Sequence, residues 1–95
     1  MYQVISRKIR RAFNTPEFAS ARHHFDRKFY RNIHVDVASA GVDEFEHYIN
    51  FGWREGRDPS PYFTTLLYKD RFMQNHKADT NPYLHFVSLN AANNP

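Results

Sequence analysis

Apolar residues recur at helical spacing along most of the 95-residue chain, and no stretch alternates between apolar and polar positions as a strand would. The clearest helical pattern lies in residues 43–57. Asp43 can accept backbone N–H groups as a helix N-cap, and Phe45 and Ile49 then fall on one face of the following helix. Gly52 stands where a residue with positive φ would end that helix. The pattern predicts a short capped helix here.

Capping residues and prolines divide the rest of the chain into further short helices. Thr15 followed by Pro16 should begin one helix, because Thr is a favoured N-cap and Pro is tolerated at the first helical position. The other predicted starts are Asp26, Asp43 and Asn81. Residues 35–40 should form either a short helix or a loop with one helical turn, ended by Gly41. Residues 58–61, Asp-Pro-Ser-Pro, should form a rigid connector. We therefore expect an all-α fold.

The second half of the chain repeats the first at a fixed offset of 38 residues. Three aromatic and imidazole side chains recur identically: Phe25, Tyr30 and His47 as Phe63, Tyr68 and His85. A period near 40 residues is typical of duplicated helical units. The second copy is degenerate, because Asn90 stands at the position of Gly52. The sequence predicts a small bundle of short helices, built from two degenerate helical repeats of about 38 residues.

These patterns divide the chain into four parts. The predicted parts are a basic amphipathic N-terminal arm (1–24), a first helical repeat (25–62), a second, degenerate helical repeat (63–90) and a disordered tail (91–95).

The first repeat carries a recognisable motif. It reads His47-Tyr48-x-x-x-Gly52-x-x-Glu55-Gly56-Arg57, preceded by Phe25-Asp26-x-x-x-Tyr30 and Asp36-Val37-Ala38-x-Ala40-Gly41. This pattern resembles a bacterial repeat module that accompanies the glycosyltransferase domains of polysaccharide-synthesis proteins and occurs in some secreted calcium-binding repeat proteins. The resemblance covers residues 25–63 well and the following residues weakly. It implies an attached module, and it carries no catalytic residue over to this chain.

We interpret the residues of the motif and its second copy as structural. Trp53, Arg54, Glu55 and Arg57 could instead form a binding surface. A plug between the two repeats is the favoured account of Trp53, with Glu55 and Arg57 pairing or capping nearby, because the same residues define the repeat. The repeat-defining positions are Phe25, Tyr30, Asp43, His47, Tyr48, Gly52, Trp53, Glu55, Gly56, Arg57, Phe63, Tyr68 and His85.

Charge is distributed unevenly along the chain, whose net charge is +3. Residues 1–31 hold eight Lys and Arg against two acidic residues, whereas the remainder holds five against eight. Within residues 1–13, a predicted amphipathic helix has Val4, Ile5, Ile9 and Phe13 on its apolar side and Arg7, Lys8, Arg10 and Arg11 around the rest. Such an arm could be a solvated helix, or it could bind an anionic membrane surface, nucleic acid or an acidic partner.

The residues needed for metal or catalytic chemistry are absent or scattered. The chain has no Cys, and its His residues lack the spacing of a zinc site. Asp36, Asp43 and Asp58 are too far apart for a calcium loop, and no nucleophile has a neighbouring base. No apolar run approaches the roughly 20 residues of a membrane span. We predict no metal, no cofactor, no catalytic residue and no small-molecule substrate.

The sequence thus predicts a non-catalytic interaction or positioning module. Its expected partner is another protein or an adjoining catalytic domain, with an anionic membrane surface as a possible second contact. The expected location is the cytoplasm, with peripheral attachment to the inner face of the membrane as an additional possibility. A nucleic-acid-binding helical domain is the alternative. A second alternative is a fragment of a larger glycosyltransferase whose active site lies outside this chain.

Overall fold

The structure, a computed structural model, describes residues 15–93 and confirms the all-α class. That range contains six α-helices and no β-strand. The helices are α1 (Pro16–His24), α2 (Arg27–Ile33), α3 (Val35–Ala40), α4 (Glu44–His47), α5 (Thr65–Phe72) and α6 (Pro82–Asn93). The predicted amphipathic helix at 1–13 lies outside the described residues.

The predicted caps start the helices where the sequence placed them. The carboxylate of Asp26 accepts the N–H of Phe29 at 2.9 Å, and that of Asp43 accepts the N–H of Glu46 at 2.9 Å. Each bond satisfies a backbone donor that has no partner inside its helix. Gly41 ends α3 in the left-handed region, with φ of 69°.

The prediction of positive φ at Gly52 is wrong. The chain continues from α4 through a single π-helical turn, Tyr48–Gly52, in which the N–H of Trp53 donates to the carbonyl of Tyr48 at 3.1 Å. Because the helix widens rather than stops, Gly52 keeps negative φ, and the left-handed residue is Gly56 in the next turn, with φ of 78°. The predicted end at Gly52 coincides with the end of the π-helical turn, whereas the regular helix α4 already ends at His47.

Glycine is required at position 52 because Tyr30 packs too close to its backbone to leave room for a side chain. A Cβ atom built on Gly52 would lie 2.0 Å from the Tyr30 hydroxyl oxygen and 3.4 Å from Nδ1 of His47. No side chain fits at 2.0 Å, so the absence of a Cβ lets the π-helical turn pack directly against Tyr30.

The core is formed mainly by aromatic rings. Fully buried Tyr30 and Tyr48 lie at its centre. The other large buried members are Phe25, Phe45, Trp53, Phe63 and Tyr83. Neighbouring rings meet in tilted and edge-to-face arrangements, which aromatic pairs favour. A few large side chains therefore supply most of the apolar burial of this small domain.

Helix α1 belongs to this core. Ala21 is fully buried where α1 packs against α6, and its carbonyl accepts the Tyr83 hydroxyl at 2.8 Å. The sequence assigned α1 to the N-terminal arm because Arg22 and its neighbours are basic. The structure instead makes α1 part of the globule, because the small Ala21 side chain permits close contact.

The connector between the two halves, residues 58–61, makes hydrogen bonds to both of them. The N–H of Asp26 donates to the carbonyl of buried Pro59 at 2.9 Å. The carboxylate of Asp58 accepts the N–H of Thr65, the first residue of α5, at 2.8 Å. The connector is therefore fixed in place, and it covers the start of α2. At the other end of the chain, α6 extends to Asn93, past the predicted helix end.

Candidate functional site

A buried tyrosine–histidine pair joins α2 to α4. The Tyr30 hydroxyl lies 2.7 Å from Nδ1 of His47, and both side chains are almost completely buried. The rings of Phe25 and Tyr48 pack against Tyr30, with ring centroids 5.2 and 5.9 Å away. The pair is thus a hydrogen bond enclosed by aromatic rings, where the low dielectric strengthens it.

A second tyrosine–histidine pair lies in the other half. The Tyr68 hydroxyl is 2.8 Å from Nδ1 of His85, and the Phe63 ring is 5.2 Å from that of Tyr68. These residues follow Tyr30, His47 and Phe25 by 38 positions. The second pair is more open to solvent than the first, since Tyr68 and His85 are only partly buried.

Ion pairs hold the charged residues of the motif. The Arg57 guanidinium makes two bonds to the Asp36 carboxylate, at 2.8 and 3.1 Å, and its Nε lies 2.9 Å from a Glu55 oxygen. A bidentate arginine–carboxylate pair fixes the orientation of both side chains. Arg57 therefore links the turn after the π-helical segment to α3, which is a structural use of this residue.

A second ionic group joins α2 to the start of α4. Arg27 contacts the Asp43 carboxylate, and Arg27 and Arg31 each lie 3.5 Å from an oxygen of Glu44. These pairs are partly exposed, so each contributes little to stability. They do compensate two of the basic charges of the first 31 residues.

Burial changes the proton affinity of the enclosed groups. Burial, with a smaller effect from the nearby positive charge of Arg57, lowers the pKa of His47 to about 4. Burial also raises the pKa of Tyr48, whose hydroxyl lies 2.9 Å from the Thr65 hydroxyl. At neutral pH both groups are uncharged, as their positions in the aromatic core require.

We expect the protein to lose stability as the pH falls from about 6.5 to about 4. In the unfolded chain His47 takes up a proton near its usual pKa of 6.5, whereas in the folded protein it does so only near pH 4. The unfolded state therefore binds more protons in this range, which costs up to about 3 kcal/mol at the acid end. Burial shifts the pKa of His34 and His85 in the same direction.

Urea unfolding at pH 7 and pH 4.5 measures this effect. His47→Asn should reduce the loss of stability at low pH, because an amide can bond to Tyr30 without titrating in this pH range. His23→Asn, at an exposed position of α1, is the matched control. Equal losses in the wild type and in His47→Asn would contradict the assignment to His47.

An apolar groove lies on the outer side of the second half. It has a volume of about 310 Å³ between α5, α6 and the end of the connector. Its lining residues are Tyr62, Phe63, Thr64, Leu67, Tyr68, Arg71, Phe72 and Phe86. Phe72 is 63% exposed and Tyr62 is 96% exposed. Contiguous apolar side chains on a protein surface are typical of interaction sites.

Sequence reasoning missed this groove as a site. Its members on α5 and α6, such as Leu67 and Phe86, fall at the helical spacing that equally predicts a buried face. The sequence signal that could have found the groove is the density of aromatic residues in and just before the second repeat. Two of them, Tyr62 and Phe72, do not belong to the motif.

The structure brings the predicted structural residues of the first half together around Tyr30 and His47, and it leaves those of the second half beside the groove. The predicted anionic-surface residues Arg7, Lys8, Arg10 and Arg11, and the apolar residues Val4, Ile5, Ile9 and Phe13, lie outside the described residues. Between residues 15 and 93, no group of three or more His, Asp or Glu residues could hold a metal ion. No helix in that range is long and apolar enough to cross a membrane.

Comparison with known protein families, with curated proteins and with solved structures finds no match to this chain.

Proposed function

We propose that this chain is a non-catalytic interaction module of the helical-repeat type, which positions a protein partner or an adjoining catalytic domain at an anionic surface. The observation that carries the proposal is the exposed apolar groove on an otherwise well-packed small domain. A domain of this size gains nothing in its own stability by leaving Phe72 and Tyr62 in water. Such a surface is explained by a partner that covers it.

Corresponding contacts support the repeat relationship. Tyr30 and His47 bond as Tyr68 and His85 do, with ring centroids 5.7 Å apart in both pairs. Each tyrosine ring also meets an aromatic ring edge-on, at 5.9 Å for Tyr48 and 5.7 Å for Phe86. The same chemistry therefore recurs with the same geometry at the same sequence offset. Repeat units commonly stack and use an exposed end or face to bind other proteins.

The use of polar residues supports a binding role rather than a catalytic one. The groups whose pKa values are shifted most are His47, Tyr48 and Arg57. All three make hydrogen bonds that hold the helices together. The resemblance to glycosyltransferase-associated modules points in the same direction. It suggests a place beside a polysaccharide-synthesis enzyme at the cytoplasmic face of a bacterial membrane.

The charge of the N-terminal arm supports the proposal that the chain binds an anionic surface. No acidic residue precedes Glu17 in the sequence, so Arg7, Lys8, Arg10 and Arg11 have no counter-charge among their sequence neighbours. In contrast, Arg27, Arg31 and Arg57 of the globule are paired with carboxylates. Thr15 caps α1, and its hydroxyl accepts the N–H of Phe18 at 3.4 Å. Because α1 follows these basic residues in the sequence and packs in the core, a surface that they bind would lie near the packed domain.

We expect the intact chain to co-sediment with vesicles that contain anionic lipid but not with neutral vesicles. Each Lys or Arg near an anionic membrane contributes about 1 kcal/mol, and this part of the binding should weaken with salt. Burial of the arm's apolar side chains would add a contribution that salt does not remove.

Two double variants separate a membrane from nucleic acid. Ile5→Ser with Ile9→Ser removes apolar contact, and Arg10→Gln with Arg11→Gln removes charge. Membrane binding should weaken with both pairs, whereas binding to DNA should weaken mainly with the second. Absence of sedimentation with anionic vesicles at low salt would exclude the membrane as the surface.

A further inference from the structure

Part of the groove in the second half corresponds to a position that a proline-containing segment occupies in the first half. There, the N–H of Asp26 donates to the carbonyl of Pro59, and Pro59 is fully buried. The ring of Tyr48 is also fully buried, and its hydroxyl lies 2.9 Å from the Thr65 hydroxyl. The bend at Pro59 therefore brings a backbone acceptor to the start of α2.

The second half presents the same face without such a segment. Thr64 stands 38 positions after Asp26 and lines the groove, and Phe86, which corresponds to Tyr48, is 38% exposed. Among the described residues, Asp26 donates its N–H to the carbonyl of Pro59, whereas the N–H of Thr64 makes no backbone hydrogen bond. The groove therefore has a backbone donor at one edge and aromatic walls.

We propose that this groove binds an Asp-Pro-containing peptide segment of the kind formed by residues 57–61, supplied by a partner chain. This proposal deepens the proposed interaction function and rests on it. A carbonyl of the peptide would accept the N–H of Thr64, as Pro59 does for Asp26. The proline ring would lie against Phe86 and Leu67.

Two observations favour this occupant. Proline restricts the conformation of a peptide, which therefore loses little conformational freedom on binding, and aromatic-lined grooves commonly accept proline-containing segments. Within the described part of the chain, Arg71 is the one charged residue that lines the groove, so an acidic residue beside the proline would find a counter-charge. In the first half the corresponding acidic residue is Asp58, whose carboxylate instead accepts the N–H of Thr65 at 2.8 Å.

Nuclear magnetic resonance titration of the isotope-labelled full chain tests the proposal. The probe is a synthetic peptide with the sequence of residues 56–62, Gly-Arg-Asp-Pro-Ser-Pro-Tyr. We expect saturable shifts centred on the Thr64 amide and on the side chains of Leu67 and Phe86. A control peptide with Pro59→Ala should bind more weakly, because it is less restricted in conformation and lacks the proline ring.

Two protein variants and one control sharpen the test. Leu67→Ser should weaken binding about tenfold, since burial of a leucine side chain contributes at least that factor in affinity. Arg71→Glu, at an exposed position, should weaken binding without disturbing the core, because it replaces the counter-charge of the peptide's Asp with a like charge. Leu89→Ser is the matched control, because Leu89 is 49% exposed, as Leu67 is, but does not line the groove. It should leave the affinity unchanged.

Four results would overturn the proposal. The first three are no saturable shift at millimolar peptide, shifts that leave Thr64 unaffected, and an equal change of peptide affinity in Leu67→Ser and Leu89→Ser. The fourth is concentration-dependent self-association that shifts the groove signals without peptide, which would assign the groove to a second copy of the chain. Vesicle sedimentation is independent of these results, so a chain that binds vesicles but not the peptide loses only this inference.

Discussion

Gly52→Ala is expected to destabilise the protein by about 3 kcal/mol or more, although the change adds a single methyl group. The new Cβ would lie 2.0 Å from the Tyr30 hydroxyl oxygen, well inside any allowed contact. Tyr30 is fully buried and cannot move away without breaking its bond to His47. The cost therefore combines overpacking of the core with a disrupted buried hydrogen bond. Urea unfolding followed by the fluorescence of Trp53, the only tryptophan, measures it.

A second substitution identifies the cause. Tyr30→Phe removes the clashing oxygen, and the next ring atom lies 3.3 Å from the position of the added methyl carbon, a distance that a small shift relieves. Gly52→Ala combined with Tyr30→Phe should thus be more stable than Gly52→Ala alone, even though Tyr30→Phe by itself costs about 1–3 kcal/mol. Additive losses would show that the hydroxyl contact is not the reason for glycine at this position.

Gly41→Ala is the matched control for backbone conformation. Gly41 has φ of 69° and no atom within 4 Å of a built Cβ. Its substitution should cost only the strain of a left-handed residue, about 1–2 kcal/mol. If Gly41→Ala were the more damaging of the two changes, backbone conformation rather than close approach would decide the role of these glycines.

Trp53→Ala should cost about 3–5 kcal/mol, the range for truncation of a large buried aromatic residue. Trp53 is 5% exposed and belongs to the aromatic core at the end of the π-helical turn. The cavity left by the indole cannot collapse easily, because the neighbouring core is built from rigid rings. Circular dichroism must follow the unfolding of this variant, since the fluorescent side chain is removed.

Two controls separate burial from surface effects. Arg54→Ala removes the guanidinium that lies 4.5 Å from the Trp53 ring centroid, and should cost less than about 1 kcal/mol. Tyr62→Ala truncates an aromatic side chain that is 96% exposed, and it should leave the urea midpoint of unfolding almost unchanged. A Trp53→Ala midpoint within error of the wild type would contradict a role for Trp53 in the core.

The fold class and most helix starts follow from local sequence. Asp26, Asp43 and Gly41 act through their own backbone neighbourhood, so their effect is visible in a short window of sequence. The 38-residue offset also marked Tyr30, His47, Tyr68 and His85 as recurring positions, but that each tyrosine bonds to a histidine became visible only in the structure.

The role of Gly52 and the position of α1 depend on tertiary structure. The Tyr30 hydroxyl that excludes a side chain at Gly52 lies 22 residues away in the sequence, and Tyr83, which bonds to Ala21, lies 62 residues away. Contacts of this kind leave no trace in local periodicity.

The groove depended on tertiary structure for a related reason. Helical spacing marks Leu67 and Phe86 as members of an apolar face, but a face is buried only if another segment of the chain lies over it. In the first half Tyr48 is fully buried, whereas its counterpart in the second half, Phe86, is 38% exposed and lines an open groove. The apolar pattern was therefore set by the sequence, whereas its division into core and surface was set by packing.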